Sequence, residues 1–382
     1  MQTPATVRGN IATPWRAVIV GHDLNALVNS DLVSNLCPPP DPLLFPQGIA
    51  TDWIKPGRAV WRYLDGHGDD NYKDAKEFSR MAGQLGFEYN VIEGYWNRWT
   101  DDQIKELVEY SKQQGVELFV WVHSKDLRDP QVRQELFKKC HTLGIAGLKI
   151  DFFDHEAKEV IDLYQAILKE SAENQLLVNF HGSNKPTGEP RTWPNEINRE
   201  AIRGMESRSV PDRAGHDTTL PFTRFLAGHA DYTPVLFTER RGNTTWTHQL
   251  ATAAVFTAPL LTYASNPKTL LESPALPLIQ SIPPVWDNTI VLPMSEIGRC
   301  AAFARRRGDT WFLAILNGSE ARTIQVPLSF LPQADYHVFL AKDKADQPAD
   351  FQIEERSVKP GDQMSIEMNA GGGFIARFSK DR

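Results

Sequence analysis

Cysteine is scarce in this chain. Only Cys37, Cys140 and Cys300 occur among 382 residues, far apart and at no zinc-ligand spacing. So odd and sparse a set argues against a disulfide scaffold and leaves room for one bridge at most. Long apolar runs are missing too. No stretch of about 18 apolar residues exists, so no segment reads as a membrane span. The first residues, Met1-Gln-Thr-Pro-Ala-Thr, lack the charged and apolar regions of a signal peptide. Two readings stay open: a protein that remains inside the cell, or a sequence that begins downstream of its export signal. Basic charge is not in excess, with 41 Lys and Arg against 48 Asp and Glu and a net charge of −7. Without a basic patch, nucleic acid and acidic membrane surfaces are poor partners. No Gly-x-Gly-x-x-Gly joins a strand to a helix, which removes the usual dinucleotide reading.

What is present is an ordinary globular composition, 41% hydrophobic and 10% aromatic. At 382 residues the chain exceeds the roughly 250–300 at which single cores stop growing. Residues 1–50 hold one strand candidate, Ala17–Gly21, and the stiff linker Pro38-Pro39-Pro40-Asp41-Pro42. From Trp53 strands and helices alternate. The strand candidates are Ala59–Leu64, Tyr89–Glu93, Glu117–His123, Gly147–Asp154, Leu176–His181, Ile202–Glu206, Asp231–Pro234 and Leu260–Ala264. Eight short apolar strands with helices between them suit an α/β fold of the (β/α)8 TIM-barrel type over residues 51–283. A doubly wound open sheet is the runner-up. After Pro283 the period changes to two, and the segments 300–305, 310–317, 322–328, 336–341, 364–369 and 374–379 predict a small C-terminal antiparallel β-sandwich, residues 284–382.

The octet Gly147-Leu-Lys-Ile-Asp-Phe-Phe-Asp154 organises the reading. Four apolar residues make a buried strand, and Lys149, Asp151 and Asp154 interrupt it. A charge inside a core strand is costly unless it is paired or used. In a parallel β/α sheet the strand's C-terminal end is where chemistry collects. An ion pair of Lys149 with one of the aspartates is the structural alternative. The expected strand ends together present Glu93, His123, Asp151, His181 and Glu206. Each has a bland role available: Glu93 pairing with Arg98, the histidines at the core edge, Glu206 bonded to amides. Their convergence on one rim favours chemistry. Carboxylates across a pocket without a cofactor motif suggest glycosidic cleavage, one attacking or activating water and the other, kept protonated by an apolar setting, donating to the leaving oxygen. Trp61, Trp96, Trp99 and Trp121 suit sugar stacking, and core packing explains them equally well. Glu200 and Glu206 form an oxygen-only pair that favours calcium over a transition metal.

Several motifs then point one way. They are Lys149-Ile-Asp-Phe-Phe-Asp154, His181-Gly-Ser-Asn-Lys-Pro-Thr-Gly188, Arg191-Thr-Trp-Pro-Asn195, Arg203-Gly-Met-Glu206, Leu220-Pro-Phe-Thr-Arg224 and Asp231-Tyr-Thr-Pro234. In this order they closely resemble glycoside hydrolase family 97, from about residue 10 to the C-terminus. The resemblance implies α-glycosidases with a (β/α)8 barrel, a C-terminal β domain and a bound Ca2+, periplasmic or secreted. In the family's inverting α-glucosidase branch, the position of Asp151 is glycine and that of Gly182 is a glutamate base. This chain has the opposite at both, like the retaining branch, which implies an α-galactosidase acting on an α-galactoside or related oligosaccharide. By the same resemblance Asp151 is the nucleophile, Glu206 the acid/base, and Glu200 and Glu206 occupy calcium-ligand positions. Glu93, Trp96, Lys149, His181 and Lys185 are substrate-contact candidates. An α-glucosidase of the same family and an inactive carbohydrate-binding remnant are the alternatives. Family members begin with a large β-sandwich, of which residues 10–50 match only the last segment. The expectation is exposed apolar surface, hence low solubility or oligomerisation; the oligomeric state itself stays open.

Overall fold

The computed structural model describes residues 8–11, 13, 15–66 and 72–380. Residues 1–7, 12 and 14, within the stretch 1–50 expected as an N-terminal remnant and linker, lie outside these, as do 67–71.

Seven parallel strands form the central sheet: β1 (Gly57–Trp61), β2 (Tyr89–Ile92), β3 (Glu117–His123), β4 (Gly147–Asp151), β5 (Leu177–Phe180), β6 (Glu196–Arg199) and β7 (Leu260–Tyr263). Their order is β6-β5-β4-β3-β2-β1-β7. Residues 231–235 bridge the two ends. Asp231 N donates to the Arg199 carbonyl on the β6 side; Ala264 N and Ser265 N donate to the carbonyls of Pro234 and Val235 on the β7 side. Positive φ at Thr233 and Val235 (53° and 63°) breaks the ladder, so this eighth segment closes the TIM-type barrel without forming a regular strand.

Most strand residues are buried on both faces, as a parallel sheet wrapped by helices requires. The helices carry clear start and stop signals. Around the first half of the sheet run α1 (Tyr72–Leu85), α2 (Asp101–Gln113), α3 (Pro130–Leu143) and α4 (Lys158–Glu173). Thr100 and Gln103 make a reciprocal capping box on α2. Asp129 caps α3, whose first residue is proline, and Gly144 closes it at φ 79°. Ala59, Trp61, Tyr89, Val91, Phe119, Leu177, Ile197 and Leu260 fill the barrel interior with Phe45 and Ile54. Phe45 stacks on Trp53 and meets Trp193 edge-on.

The sixth strand is also displaced from expectation. Ile202–Glu206 is a loop, and the sixth strand is Glu196–Arg199 instead. Charge concealed it: Arg199 Nε lies 2.7 Å from Glu196 Oε1, and both side chains are buried. A matched pair can occupy a core strand that a hydrophobic pattern passes over.

The C-terminal strands are β8 (Asn288–Val291), β9 (Cys300–Arg307), β10 (Thr310–Asn317), β11 (Arg322–Pro327), β12 (Tyr336–Asp343), β13 (Phe351–Val358), β14 (Gln363–Met368) and β15 (Gly373–Lys380). Six form an antiparallel sheet, β13-β12-β15-β10-β9-β8, and β11-β14 pair apart from it. Edge strands β8 and β13 escaped the sequence reading, because β8 is half exposed and β13 carries Glu354, Glu355 and Arg356. Along β9 the side chains alternate. Ala301 and Phe303 join a core shared with the barrel, while Cys300, Ala302 and Ala304 join the sandwich core. Two further helices, α5 (Arg213–Thr219) and α6 (Trp246–Val255), lie near this junction. Every residue of α6 after Trp246 is buried, as befits a helix enclosed between two layers. Residues 15–21 carry no regular secondary structure, and Ile11, Trp15, Val18 and Val20 are exposed.

Candidate active site

Register places the site. On β4 the side chains of Gly147, Lys149 and Asp151 share a face, with Lys149 level with Trp121 of β3 and Asn179 of β5, and Asp151 level with His123. Lys149 is 4% exposed, its ammonium 3.6 Å from Glu93 Oε1 and 3.8 Å from Glu206 Oε1 and 3.9 Å above the Trp61 ring. The indole N–H of Trp61 donates to Glu93 Oε1 at 2.5 Å. Burial alone would lower the Lys149 pKa; the carboxylates of Glu93, Glu206, Asp151 and Asp231 outweigh it and hold the amine firmly charged.

Asp151 ends β4 with both oxygens engaged. Trp121 Nε1 donates to Oδ2 at 3.1 Å, and Phe152 N donates to Oδ1 at 2.8 Å. Phe152, the donor of the second bond, adopts φ 66°, a conformation that bulky residues avoid. It is held there by Ser124 Oγ donating to the Phe152 carbonyl and by Phe153 N donating to the Gly182 carbonyl. Gly182 itself has φ 47°, and a β-carbon on it would stand 2.8 Å from Asp151 Oδ1 and 2.8 Å from Phe152 N. No side chain fits at 182 while Asp151 stands where it does.

Beyond Gly182 lies a cluster of acids around one imidazole. His181 Nε2 is 2.8 Å from Asp231 Oδ2; its Nδ1 is 3.3 Å from Glu206 Oε1 and 3.7 Å from Glu200 Oε1. Gly182 N donates to Glu200 Oε2 at 2.9 Å, and Asn179 donates to Asp231. Burial and Lys149 push the His181 pKa down, but Glu200, Asp231 and Glu206 lift it to about 10. Burial pushes Glu206 up, yet Lys149 and His181 bring it to about 2. Glu200 is raised, by burial first, against the pull of His181. The setting of Glu206 is thus not the apolar one expected of a proton-donating carboxyl. Two cations face it, and the glutamate with the raised pKa is Glu200.

Glu200, Glu206 and His181 offer one ligand atom each within 4.8 Å of one another. Glu206 Oε1 is buried and accepts no bond of good geometry, with His181 Nδ1 at 3.3 Å its nearest cationic neighbour. Two carboxylates with an orphaned oxygen fit a hard cation such as calcium, which takes oxygen ligands. Arg224 shapes the backbone that carries Glu200: its guanidinium donates to the carbonyls of Arg199, Glu200, Ala201, Gly228 and His229.

Of the residues singled out in the sequence, Glu93, Lys149, Asp151, His181, Glu200 and Glu206 come together. Trp96 does not; it is buried, and its indole N–H donates to the Trp121 carbonyl. Lys185 is exposed on the loop after β5. Asp231, Asn179 and Arg224 were missed as site residues. A polar residue at an inward position of a core strand, as Asn179 is, was the available signal.

The profile described as Glycoside hydrolase 97 matches residues 53–202, the one described as Glycosyl-hydrolase 97 C-terminal, oligomerisation matches 285–379, and Glycosyl-hydrolase 97 N-terminal matches 1–39. A protein of Streptomyces bingchenggensis named probable retaining alpha-galactosidase is 33% identical over 97% of this chain and 59% of its own length. A family 97 enzyme of Pseudoalteromonas sp. strain K8, solved with acarbose, superposes at TM-score 0.84 with 27% identity, over 95% of this chain and 65% of that one. A β-arabinopyranosidase superposes at TM-score 0.80 with 26% identity, over 93% and 59%. The chain thus spans less than two thirds of the length of these relatives. With three profiles of one family matching in order along it, the chain belongs to glycoside hydrolase family 97.

Proposed function

We propose that the protein is a retaining, exo-acting α-glycosidase with α-galactosides as its substrates. One observation carries the reading: Asp151 stands at the end of β4 in space that exists only because residue 182 has no side chain. A side chain at 182 would press on both the Asp151 carboxylate and the Phe152 backbone, so Gly182 leaves Asp151 free to stand as the nucleophile. The relative named probable retaining alpha-galactosidase supports the sugar and the stereochemistry.

In this mechanism Asp151 attacks the anomeric carbon as the bond to the leaving oxygen breaks, and Glu206 passes to that oxygen a proton drawn from the His181 imidazolium, whose Nδ1 stands 3.3 Å from Glu206 Oε1. The β-glycosyl ester on Asp151 is then hydrolysed by a water that Glu206 deprotonates, and the α-anomer is released. The Trp121 and Phe152 N–H groups fix the attacking carboxylate, and Lys149 places one positive charge among the carboxylates of Glu93, Glu206, Asp151 and Asp231. Glu200 and Glu206 would hold calcium, which supplies positive charge beside the reacting ring.

The test is Asp151→Ala with an activated aryl α-galactoside. Turnover should vanish, and azide should restore it while forming the β-galactosyl azide. Absence of rescue removes Asp151 as nucleophile. Proton NMR of the first-formed sugar should show the α-anomer. Parallel assays on the α-glucoside and the β-arabinopyranoside decide the sugar; the latter has the same ring configuration without the C6 arm, and a structural relative bears that name.

A further inference from the structure

Glu206 sits in a turn rather than on a strand. The turn spans residues 204–207 and is closed by Ser207 N donating to the Gly204 carbonyl at 3.1 Å. Behind it stands Arg213, the first residue of α5, only 2% exposed. Its Nη2 donates to the Ser207 carbonyl at 2.9 Å and its Nη1 to the Gly204 carbonyl at 3.3 Å. One guanidinium thus grips both ends of the turn. His216, a helical turn further along α5, donates through Nε2 to the Arg203 carbonyl at 3.0 Å.

Tyr232 is the second support. Met205 N donates to its carbonyl at 3.0 Å, and a β-carbon at Gly204 would stand 2.5 Å from that oxygen, so the two backbones touch. The phenol oxygen accepts from Arg213 Nη1 at 3.2 Å and donates to Asp217 Oδ1 at 2.6 Å. Asp217 Oδ2 lies 3.3 Å from Nε2 of His248, whose Nδ1 donates to the Gly372 carbonyl of the sandwich at 2.9 Å. All four side chains are buried. A guanidinium stripped of water and spent on main-chain carbonyls is a costly way to hold an ordinary loop, whose backbone groups water can satisfy. On the other side Asp231 holds His181 Nε2, and His181 Nδ1 faces Glu206. His181, Asp231, Tyr232, Met205 and Glu206 therefore close into a ring of contacts, with Arg213 clamped across it.

Resting on the reading of Glu206 as acid/base, we infer that Arg213 is a positioning residue for that carboxylate: it acts by fixing the turn that carries Glu206, and Tyr232 and Asp217 hold Arg213 in place. Asp151 has its own supports in Trp121 and Phe152. The two carboxylates are thus held independently, and loss of the Arg213 clamp impairs proton transfer while leaving the nucleophile standing.

The experiment compares Arg213→Met, which has no donors, with the unsubstituted protein on two substrates. An α-1,6-galactosyl disaccharide needs its leaving oxygen protonated, whereas 2,4-dinitrophenyl α-galactoside does not. General acid–base assistance contributes roughly 100- to 10,000-fold, so kcat/KM for the disaccharide should fall about 100-fold and that for the aryl galactoside no more than about threefold. Azide should raise kcat on the aryl substrate and yield the α-galactosyl azide, the anomer opposite to that expected from Asp151→Ala. Arg213→Lys should recover part of the disaccharide rate. Equal losses on both substrates, or no loss, overturn the assignment. Should Arg213→Met fail to fold, Tyr232→Phe removes only the phenol oxygen shared by Arg213 and Asp217. It should show the same substrate-selective loss at about tenfold, and an unselective loss or none overturns the role. Crystal structures of the substituted and unsubstituted proteins give an answer without turnover. Glu206 should move out of reach of His181 Nδ1, and a carboxylate left in place removes the clamp. If the unsubstituted protein cleaves neither substrate the glycosidase reading fails, and that displacement alone decides whether Arg213 holds Glu206.

Discussion

Gly182 and Asp151 are in contact in a way that only glycine permits: a β-carbon at 182 would lie 2.8 Å from Asp151 Oδ1. The two positions come from consecutive strands, β4 and the end of β5, and the same β-carbon would also lie 2.8 Å from Phe152 N, so the contact fixes the Asp151 carboxylate and the backbone after it together.

Gly182→Ala tests this directly. The substitution is strained at φ 47° by roughly 1–2 kcal/mol and displaces the carboxylate as well. A loss of kcat of at least about 100-fold is expected, since small misplacement of a reacting group is costly, with only a modest fall in Tm. Near-normal turnover in a stable Gly182→Ala protein would show that Asp151 does not need its present position.

The acid cluster predicts how stability responds to pH in metal-free protein, kept so with a chelator. His181 is raised from 6.5 to about 10 in the fold, so its contribution is complete below pH 6.5 and disappears as pH rises through 10. Glu206 is lowered from 4.5 to about 2, so its contribution is present above 4.5 and disappears as pH falls toward 2. Glu200 is raised by burial and works against Glu206, weakening the fold as it ionises. Urea midpoints should decline from pH 6.5 toward 10, and His181→Gln should flatten that limb. A midpoint indifferent to pH over this range contradicts the assignment.

Arg224 is a positioning residue. Five part-buried carbonyls around Glu200 accept from its guanidinium; that of Arg199 keeps Asp231 N as a second donor, and leaving the others without one costs at most about 1–3 kcal/mol each before relaxation. Arg224→Met should destabilise the fold by about 3 kcal/mol in urea titration and weaken calcium binding measured by calorimetry. Arg224→Lys, with three donors, should recover part of both. Calcium affinity unaltered in a destabilised Arg224→Met protein would separate the residue from the site.

How much of this was legible in the sequence depended on charge. Asp151 stood out because an acid in an apolar strand has few uses, and Lys149 beside it marked the same interior. The C-terminal sandwich was visible through its alternation. What hid was whatever neutralised itself. Glu196 and Arg199 form a buried pair, so β6 read as loop and the strand was placed six residues late. Asp231 appeared only as part of a strand motif, although it anchors His181. Trp96 looked like a sugar platform by position, whereas its indole is spent on the backbone of β3. The state of Glu206 could not be read at all, because it depends on Lys149 and His181 arriving from other strands.

The alternation along β9 has a wider effect. Because its odd residues belong to one hydrophobic interior and its even residues to the other, a single strand is the shared wall of two rooms. Trimming the molecule after residue 283 would not release a trimmed barrel; it would strip the lining from α6, a helix with no wet face, and flood the core behind it. The sandwich is better regarded as part of the catalytic body than as an appendage to it.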